Sequence, residues 1–307
     1  MQSSLKSLII GTFFDLFRNM IMRFFISFIL LFAFQDLSAQ DLSGRWSGIL
    51  MNAGESISEG DVIYLQLEST GNNFSGLSRV ELIDNEIEFA TKEIKGVFDG
   101  EHLTLKDDII RRSSKTRLSP ECKLAFELKY YPESAYLKGK YSSPDCRSKF
   151  GEVVFFRANH EVNIEKEPTS THLWRTFFTR NYEKGYPAPE ILKKEQQNFK
   201  FETIHFDFDK AEIRPEYKEF LDRMARILDA VHDLRVKITG HTDGEGTDDY
   251  NMDLSERRAD ALRDYFKKRG VEPEKLEIDF KGKRQPVSSN QTKEGRQENR
   301  RVVFEFI

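Results

Sequence analysis

The sequence predicts a two-domain protein of the α+β class, with an all-β domain over residues 41–158 and an α/β sandwich over residues 200–307. In the first region, short runs of alternating apolar and polar residues recur between turn residues, as is typical of β-strands. In the second region, strand-like runs alternate with segments whose apolar residues have helical spacing. The 307 residues suffice for two domains, each with its own core.

Composition and charge narrow the class of function. The chain is 38% hydrophobic and 32% charged, which is typical of a globular protein, and its formal net charge of −4 does not favour a nucleic-acid partner. Two cysteines are too few for a disulfide-rich scaffold or a CxxC metal or redox motif. We therefore expect neither a metal site nor a cofactor.

The first 39 residues are predicted to be a signal peptide. A basic start at Met22-Arg23, the apolar run Phe24–Phe34 and the small residue Ala39 follow the order of such signals. Met22 is then the true start, and the mature chain begins at Gln40. An uncleaved membrane anchor is the alternative.

Residues 41–158 carry about eight strand-like runs, which predict a meander barrel or a sandwich. One face of these runs carries Glu, Lys and Gln, which favours a water-soluble domain over a membrane barrel with an apolar outer face. The opening stretch Gly44–Gly48 resembles the first strand of lipocalin-like barrels. Representative runs are Val62–Glu68, Lys123–Leu128 and Val153–Phe156.

Cys122 and Cys146 flank two strand-like runs that are joined through a proline turn. Pairing of these strands would bring the sulfurs together, and an exported chain meets oxidising conditions. A structural disulfide is the prediction, and two free buried thiols are the alternative.

Residues 159–199 are predicted to connect the two domains. The Pro187-Ala188-Pro189 step cannot continue a helix, whereas Thr171–Tyr182 can form a short one. Trp174, Phe177 and Phe178 would lie on one side of that helix and dock on a neighbouring domain.

The C-terminal region has the predicted order β-α-β-α-β-β, which indicates helices packed on a mixed sheet. Thr247 is the candidate N-cap of the second helix, and Gly270 follows its end. The predicted strands are Ile204–Phe208, Arg235–Thr239, Leu276–Phe280 and Val302–Phe306, and the predicted helices are Pro215–Val231 and Thr247–Arg269.

The C-terminal region resembles OmpA-like peptidoglycan-binding domains over about residues 200–307. The central motif runs from Gly240-His241-Thr242-Asp243 to Arg257-Arg258-Ala259, with matching residues on both sides. The flanking matches are Phe206–Asp209, Pro286-Val287, Asn290, Thr292, Gly295-Arg296 and Asn299–Arg301.

The resemblance implies binding of the meso-diaminopimelate of the peptidoglycan stem peptide, whose free end joins an ammonium and a carboxylate on one carbon. Asp243 follows the second strand and Arg258 lies on the next helix, so we expect Asp243 to take the ammonium and Arg258 the carboxylate. The other predicted ligand residues are Asn251, Thr242, Phe208 and Asp209, followed by Leu254 and Arg301.

Other interpretations of these residues remain. Asp243 and Arg258 are also compatible with a structural ion pair. His241 is interpreted as structural rather than catalytic.

The sequence therefore predicts a non-catalytic envelope protein of the periplasm, bound to peptidoglycan and located at the outer membrane. The β domain is compatible with three roles: a docking surface for another outer-membrane or periplasmic protein, a small-ligand cup, or a spacer. One alternative is an envelope enzyme whose β domain acts on wall or lipid. Another is a flagellar stator-like membrane protein that uses Asp15.

Overall fold

The computed structural model describes residues 42–83, 87–114, 121–158, 164 and 172–307. The predicted signal peptide, Asp15 and most of residues 159–171 lie outside these ranges. Across the ranges, the helices are too short or too polar to cross a bilayer.

Eight antiparallel strands form a closed N-terminal barrel. Each strand pairs with its neighbour in sequence, and the last strand closes on the first. The fold is therefore the barrel of the two predicted alternatives. The strands are Gly44–Asn52 (β1), Asp61–Thr70 (β2), Asn73–Ile83 (β3), Ile87–Phe98 (β4), His102–Ser113 (β5), Ala125–Tyr131 (β6), Tyr136–Ser142 (β7) and Phe150–Arg157 (β8).

Apolar side chains fill the barrel interior. Trp46, Ile63, Leu65, Phe126 and Phe155 are each at most 2% exposed and belong to one interior cluster. An eight-stranded barrel is just wide enough for side chains to fill. The gap beside Leu50, Val80 and Leu82 measures only about 10 Å³, whereas a larger, open cavity of about 850 Å³ reaches Phe126 and Tyr141 from the side of β1 and β6–β8. The interior of this barrel is a packed core.

The barrel's outer face is also apolar on β1, β2, β7 and β8, because two helices cover it. These helices are Leu173–Glu183 (α1) and Pro189–Gln197 (α2). The ring centroid of Phe178 on α1 lies 4.5 Å from that of Phe156 on β8. Burial on both faces explains why β8 carries a continuous apolar run instead of alternation.

Residues 172–199 of the predicted connector contain two helices, α1 and α2. Helix α1 already ends at Glu183, before the Pro187–Pro189 step, and Pro189 is the first residue of α2, where proline's missing N–H costs no hydrogen bond. Trp174, Phe177 and Phe178 lie on one side of α1, as predicted, but they contact different partners. Trp174 and Phe178 pack on the barrel, whereas the ring of Phe177 stacks 3.8 Å from His232 of the C-terminal region.

The C-terminal region is a four-stranded mixed sheet with helices, in the strand order β11-β10-β12-β9. Only β10 and β11 are parallel. The elements are Ile204–His205 (β9), Lys218–Ala230 (α3), Val236–Gly240 (β10), Asp248–Lys267 (α4), Leu276–Phe280 (β11), Lys293–Asn299 (α5) and Arg301–Phe306 (β12).

Most C-terminal elements lie where they were predicted. The N-cap prediction is confirmed, because the Thr247 side chain accepts from the Tyr250 N–H. The first strand is shorter than expected and ends at His205, so Phe208 lies in a turn and is 58% exposed. Helix α5, capped by Thr292, was not predicted.

Candidate functional site

A cavity of about 230 Å³ lies at the carboxyl end of β10, beside the first turns of α4. Open α/β sheets place their ligand sites at this end of the strands. Seven of the eight predicted ligand residues line the cavity. They are Asp243, Arg258, Asn251, Thr242, Phe208, Asp209 and Leu254.

Two glycines shape the backbone around the cavity. A Cβ on Gly240 would lie 2.0 Å from the Ser255 carbonyl oxygen, so only glycine lets α4 cross the end of β10 this closely. Gly246 has a φ of 90°, a left-handed conformation that glycine adopts without strain, in the turn that leads into α4. Both features bring the side chains of α4 against the loop after β10.

Asp243 lies on the buried wall of the cavity and is 4% exposed. Arg300 Nη1 donates to its Oδ2 at 2.8 Å, and the Glu245 N–H donates to its Oδ1 at 3.2 Å. The carboxylate is therefore held in one orientation by a charged and a neutral donor.

Arg258 is fully buried, and three backbone carbonyls accept from it. Its Nε, Nη1 and Nη2 donate to Lys210 O at 2.8 Å, His241 O at 2.9 Å and Asp207 O at 3.1 Å. A guanidinium has five N–H donors, so two are left for a ligand. Burial lowers the Arg258 pKa to about 10, while the Asp243 carboxylate acts to raise it, so Arg258 stays cationic at neutral pH.

The opposite wall consists of Phe208, Asp209 and Tyr250. Asp209 has a φ of 60°, a left-handed conformation that aspartate adopts more readily than most residues. The Tyr250 hydroxyl donates to the Asp209 carboxylate, which links the turn after β9 to α4. Tyr250 was part of the recognised motif but had no predicted role.

Asn251 and Thr242 line the cavity, yet their hydrogen bonds serve the protein's own backbone. Asn251 Nδ2 donates to Glu245 O at 2.7 Å and to Thr247 O at 2.9 Å. The Thr242 N–H donates to Gly282 O at 3.0 Å, and its hydroxyl donates to Asp243 O at 3.1 Å. Both residues fix the loop that carries Asp243.

The prediction for Arg301 differs from the structure. Its neighbour Arg300 lines the cavity and contacts Asp243, whereas Arg301 Nη2 donates to Gln285 O at 3.2 Å. Arg301 is the first residue of β12, and successive strand residues point to opposite faces of a sheet. Two adjacent arginines in sequence leave open which of them faces the site.

Sequence reasoning also assigned no ligand role to Glu245, which lines the cavity and pairs with Arg296 at 2.9 Å. Glu245 lies two residues after Asp243 in the same turn, and this short separation in sequence could have indicated that it also lies at the cavity.

His241 is buried beside the cavity without lining it. Its Nδ1 has no hydrogen-bond partner among the described residues, and burial lowers its pKa from 6.5 to about 4. The ring is therefore neutral at physiological pH.

The remaining predicted features lie in the barrel. Cys122 and Cys146 form a disulfide there, with their Cα atoms 5.8 Å apart. Through the described ranges, His, Cys, Asp and Glu side chains form no cluster of three that could hold a metal ion.

Comparison with known proteins places these features in context. The OmpA family model matches residues 205–300. The chain is 35% identical to outer membrane protein A of Bordetella avium over 159 residues, which cover 47% of this chain and 80% of that protein. It is 36% identical to the peptidoglycan-associated lipoprotein of Haemophilus influenzae over 122 residues, 40% of this chain and 76% of that protein.

Among solved structures, the peptidoglycan-associated lipoprotein from Burkholderia pseudomallei matches with 30% sequence identity and a TM-score of 0.34. The match covers 34% of this chain and 89% of that one.

Proposed function

We propose that this chain, which belongs to the OmpA family, anchors to peptidoglycan through the cavity at the end of β10. The observation that carries the proposal is the pairing of opposite charges on one buried wall. Asp243 supplies an anion, and Arg258 and Arg300 supply two planar cations. A ligand that joins an ammonium and a carboxylate on one carbon suits such a wall.

The ligand we propose is the free end of meso-diaminopimelate in the stem peptide. Asp243 would accept from its ammonium, and the two remaining donors of Arg258 would reach its carboxylate. Arg300 holds Asp243 in place and adds positive charge beside the carboxylate. Because these groups are at most 11% exposed, water competes weakly and each contact gains strength.

The names of the relatives support the same class of ligand and the same compartment. One is a peptidoglycan-associated lipoprotein and another is an outer membrane protein. We infer a location in the periplasm, at the wall and near the outer membrane. In this proposal the C-terminal region acts as a non-catalytic anchor.

The test is co-sedimentation of the purified full chain with diaminopimelate-type wall sacculi. Asp243→Asn keeps the size of the side chain and removes its charge, so we expect at least a tenfold loss of binding, equivalent to about 1.4 kcal/mol. Asp253→Asn is the matched control, because Asp253 lies on the exposed side of α4 and pairs only with Arg257 among the described residues.

Lysine-type sacculi test the ligand itself. Lysine has the ammonium but lacks the second carboxylate, so we expect weaker binding to these walls. Equal sedimentation of the parent chain and Asp243→Asn on diaminopimelate walls would show that the site assignment is wrong. Equal binding of the parent to both wall types would show that diaminopimelate is not the ligand.

A further inference from the structure

A second cavity, of about 350 Å³, lies where the barrel meets the C-terminal region. Four parts of the chain surround it: the barrel strands β7 and β8, helix α1, helix α2 and the segment after α3. Its volume falls within the range of roughly 300–1,000 Å³ that is usual for small-molecule sites. It is separate from the cavity at the end of β10.

Five aromatic side chains of the described residues line this cavity. The Phe156 centroid lies 5.3 Å from that of Trp174 and 4.5 Å from that of Phe178, so these rings support one another. Aromatic rings favour flat ligands that stack on their faces or meet their edges. Tyr136 and Phe177 complete the aromatic lining.

One buried polar atom in this lining lacks a partner. Asn181 is 6% exposed, and its Nδ2 donates to the Ala230 carbonyl oxygen at 2.8 Å. Its Oδ1 is buried and accepts no hydrogen bond from the described residues. A buried acceptor without a donor is unfavourable, so a rotation of the Asn181 amide that exposes Oδ1 to a ligand N–H or O–H in the cavity would be favourable.

The rim of the cavity carries a cation. Lys193 is exposed on α2 and lines the cavity together with Gln196. Within residues 172–307 and the described part of the barrel, no carboxylate lies within ion-pair distance of Lys193, in contrast to its neighbour Lys194, which pairs with Glu190 at 3.0 Å. An anionic group at the rim would meet this ammonium.

We propose that this junction cavity binds a small aromatic molecule that has an N–H or O–H donor and an anionic group. The rings would stack in the aromatic walls, the donor would bond Asn181 Oδ1 once the amide rotates towards the cavity, and the anion would lie near Lys193. The inference does not depend on peptidoglycan binding, because it involves none of the residues at the end of β10.

The probe is 8-anilinonaphthalene-1-sulfonate, which has two aromatic parts, one N–H donor and one sulfonate. Titration of the full chain should give saturable fluorescence at one site. Gln196→Trp places a large side chain at the rim and should weaken binding at least tenfold, equivalent to about 1.4 kcal/mol. Gln197→Trp, on the exposed side of the same helix, is the matched control and should bind like the parent.

Further measurements test each chemical element of the proposal. Lys193→Glu should weaken probe binding several-fold. Dodecanoate, an anion without rings or an internal donor, should compete poorly. Circular dichroism and sedimentation with wall sacculi should match the parent for Gln196→Trp, which separates loss of this site from misfolding and from loss of wall binding.

Three results would overturn the proposal. The first is probe fluorescence that rises without saturation. The second is equal affinity in Gln196→Trp and Gln197→Trp, which would place the probe elsewhere. The third is displacement of the probe by dodecanoate at similar concentration, which would show that the cavity does not select an aromatic donor.

Discussion

Arg258 combines a structural role with its proposed role in binding. It holds three carbonyls, from the turn after β9 and from the end of β10, and so joins the two segments that form the cavity. The sequence motif predicts an arginine at this position. It does not predict that three of the five donors bond the protein's own backbone and leave two for a ligand. Loss of Arg258 should therefore affect the stability of the fold as well as binding.

Arg258→Ala should lower the free energy of unfolding by about 3 kcal/mol, because the carbonyls of Lys210, His241 and Asp207 lose a fully buried donor. Arg257→Ala is the control on the same helix. Arg257 is 48% exposed in an ion pair with Asp253, so its loss should cost less than about 0.5 kcal/mol. Urea unfolding of both variants measures the difference, and equal midpoints would contradict the structural role of Arg258.

His241 should make stability depend on pH. Its folded-state pKa is about 4, whereas an unperturbed histidine has 6.5, so the unfolded chain takes up a proton in this interval and the folded chain does not. Burial is the main cause. Arg301 and Lys281 also disfavour the charged ring, and Asp279 favours it. The contribution of His241 to the free energy of unfolding is therefore complete above pH 6.5 and is lost as the pH falls towards 4.

The expected loss is up to about 3 kcal/mol, since one pKa unit corresponds to about 1.4 kcal/mol. It should appear as the difference between the parent and His241→Gln when free energies of unfolding are measured from pH 7 to pH 4. His232→Gln is the control, because the His232 side chain is 57% exposed. A constant difference between the parent and His241→Gln over this range would refute the assignment.

Most residues that line the cavity could be predicted, because they belong to the long motif that resembles OmpA-like domains. The choice between Arg300 and Arg301 could not, since it depends on the residue at which β12 begins. The contribution of Tyr250 was also missed. Its contact with Asp209 requires the turn after β9 to fold back onto α4, and no local pattern encodes that distance.

At the scale of elements, alternation and helical spacing located most strands and helices, and the exceptions have physical causes. Phe208 alternates with polar residues and therefore looked like a strand residue, but no strand pairs with it beyond His205. Helix α5 is short and polar, so it lacks the apolar spacing that would reveal it. Only its Thr292 cap marks its start.

The Cys122–Cys146 disulfide should stabilise the barrel. The bond closes a loop with a sequence separation of 24, and the Cys122 carbonyl accepts from the buried Lys92 ammonium. Replacing both cysteines by serine should destabilise the barrel by about 3 kcal/mol, because the unfolded chain gains freedom.

Fluorescence is a suitable measurement for the disulfide variant, because the two tryptophans, Trp46 and Trp174, lie in clusters of the barrel. Urea unfolding followed by this signal should shift to lower concentration, while sedimentation with wall sacculi stays as in the parent. An unshifted fluorescence transition would show that the bond does not stabilise the barrel.

For the whole molecule, the described part of the connector, residues 172–199, packs against both regions. Helix α1 packs on the barrel through Phe178. Its Arg180 and Asn181 side chains donate to the backbone carbonyls of Asp229 and Ala230 at the end of α3. These residues precede β10, whereas the proposed wall-binding cavity lies at its far end. The barrel is therefore held at the end of the C-terminal region that faces away from the proposed anchor site.

Asp229 is the residue at which this arrangement can be tested. Its side chain is 3% exposed, and it accepts from Lys184 Nζ at 2.6 Å and from the Tyr186 hydroxyl at 2.9 Å. Asp229→Ala removes the acceptor for both groups and should loosen the junction, so that the maximum dimension from small-angle X-ray scattering increases. Asp233→Ala, at a site whose side chain is 95% exposed, should leave it unchanged.

Measuring wall binding of Asp229→Ala distinguishes a looser junction from damage to the C-terminal sheet. If the barrel is only held in position by the junction, Asp229→Ala should bind sacculi as the parent does, because the residues at the far end of β10 are untouched. If scattering is unchanged, the aromatic contacts of α1 alone hold the two regions together. A loss of wall binding together with a larger dimension would instead mean that the junction supports the sheet itself, since β10 begins a few residues after Asp229.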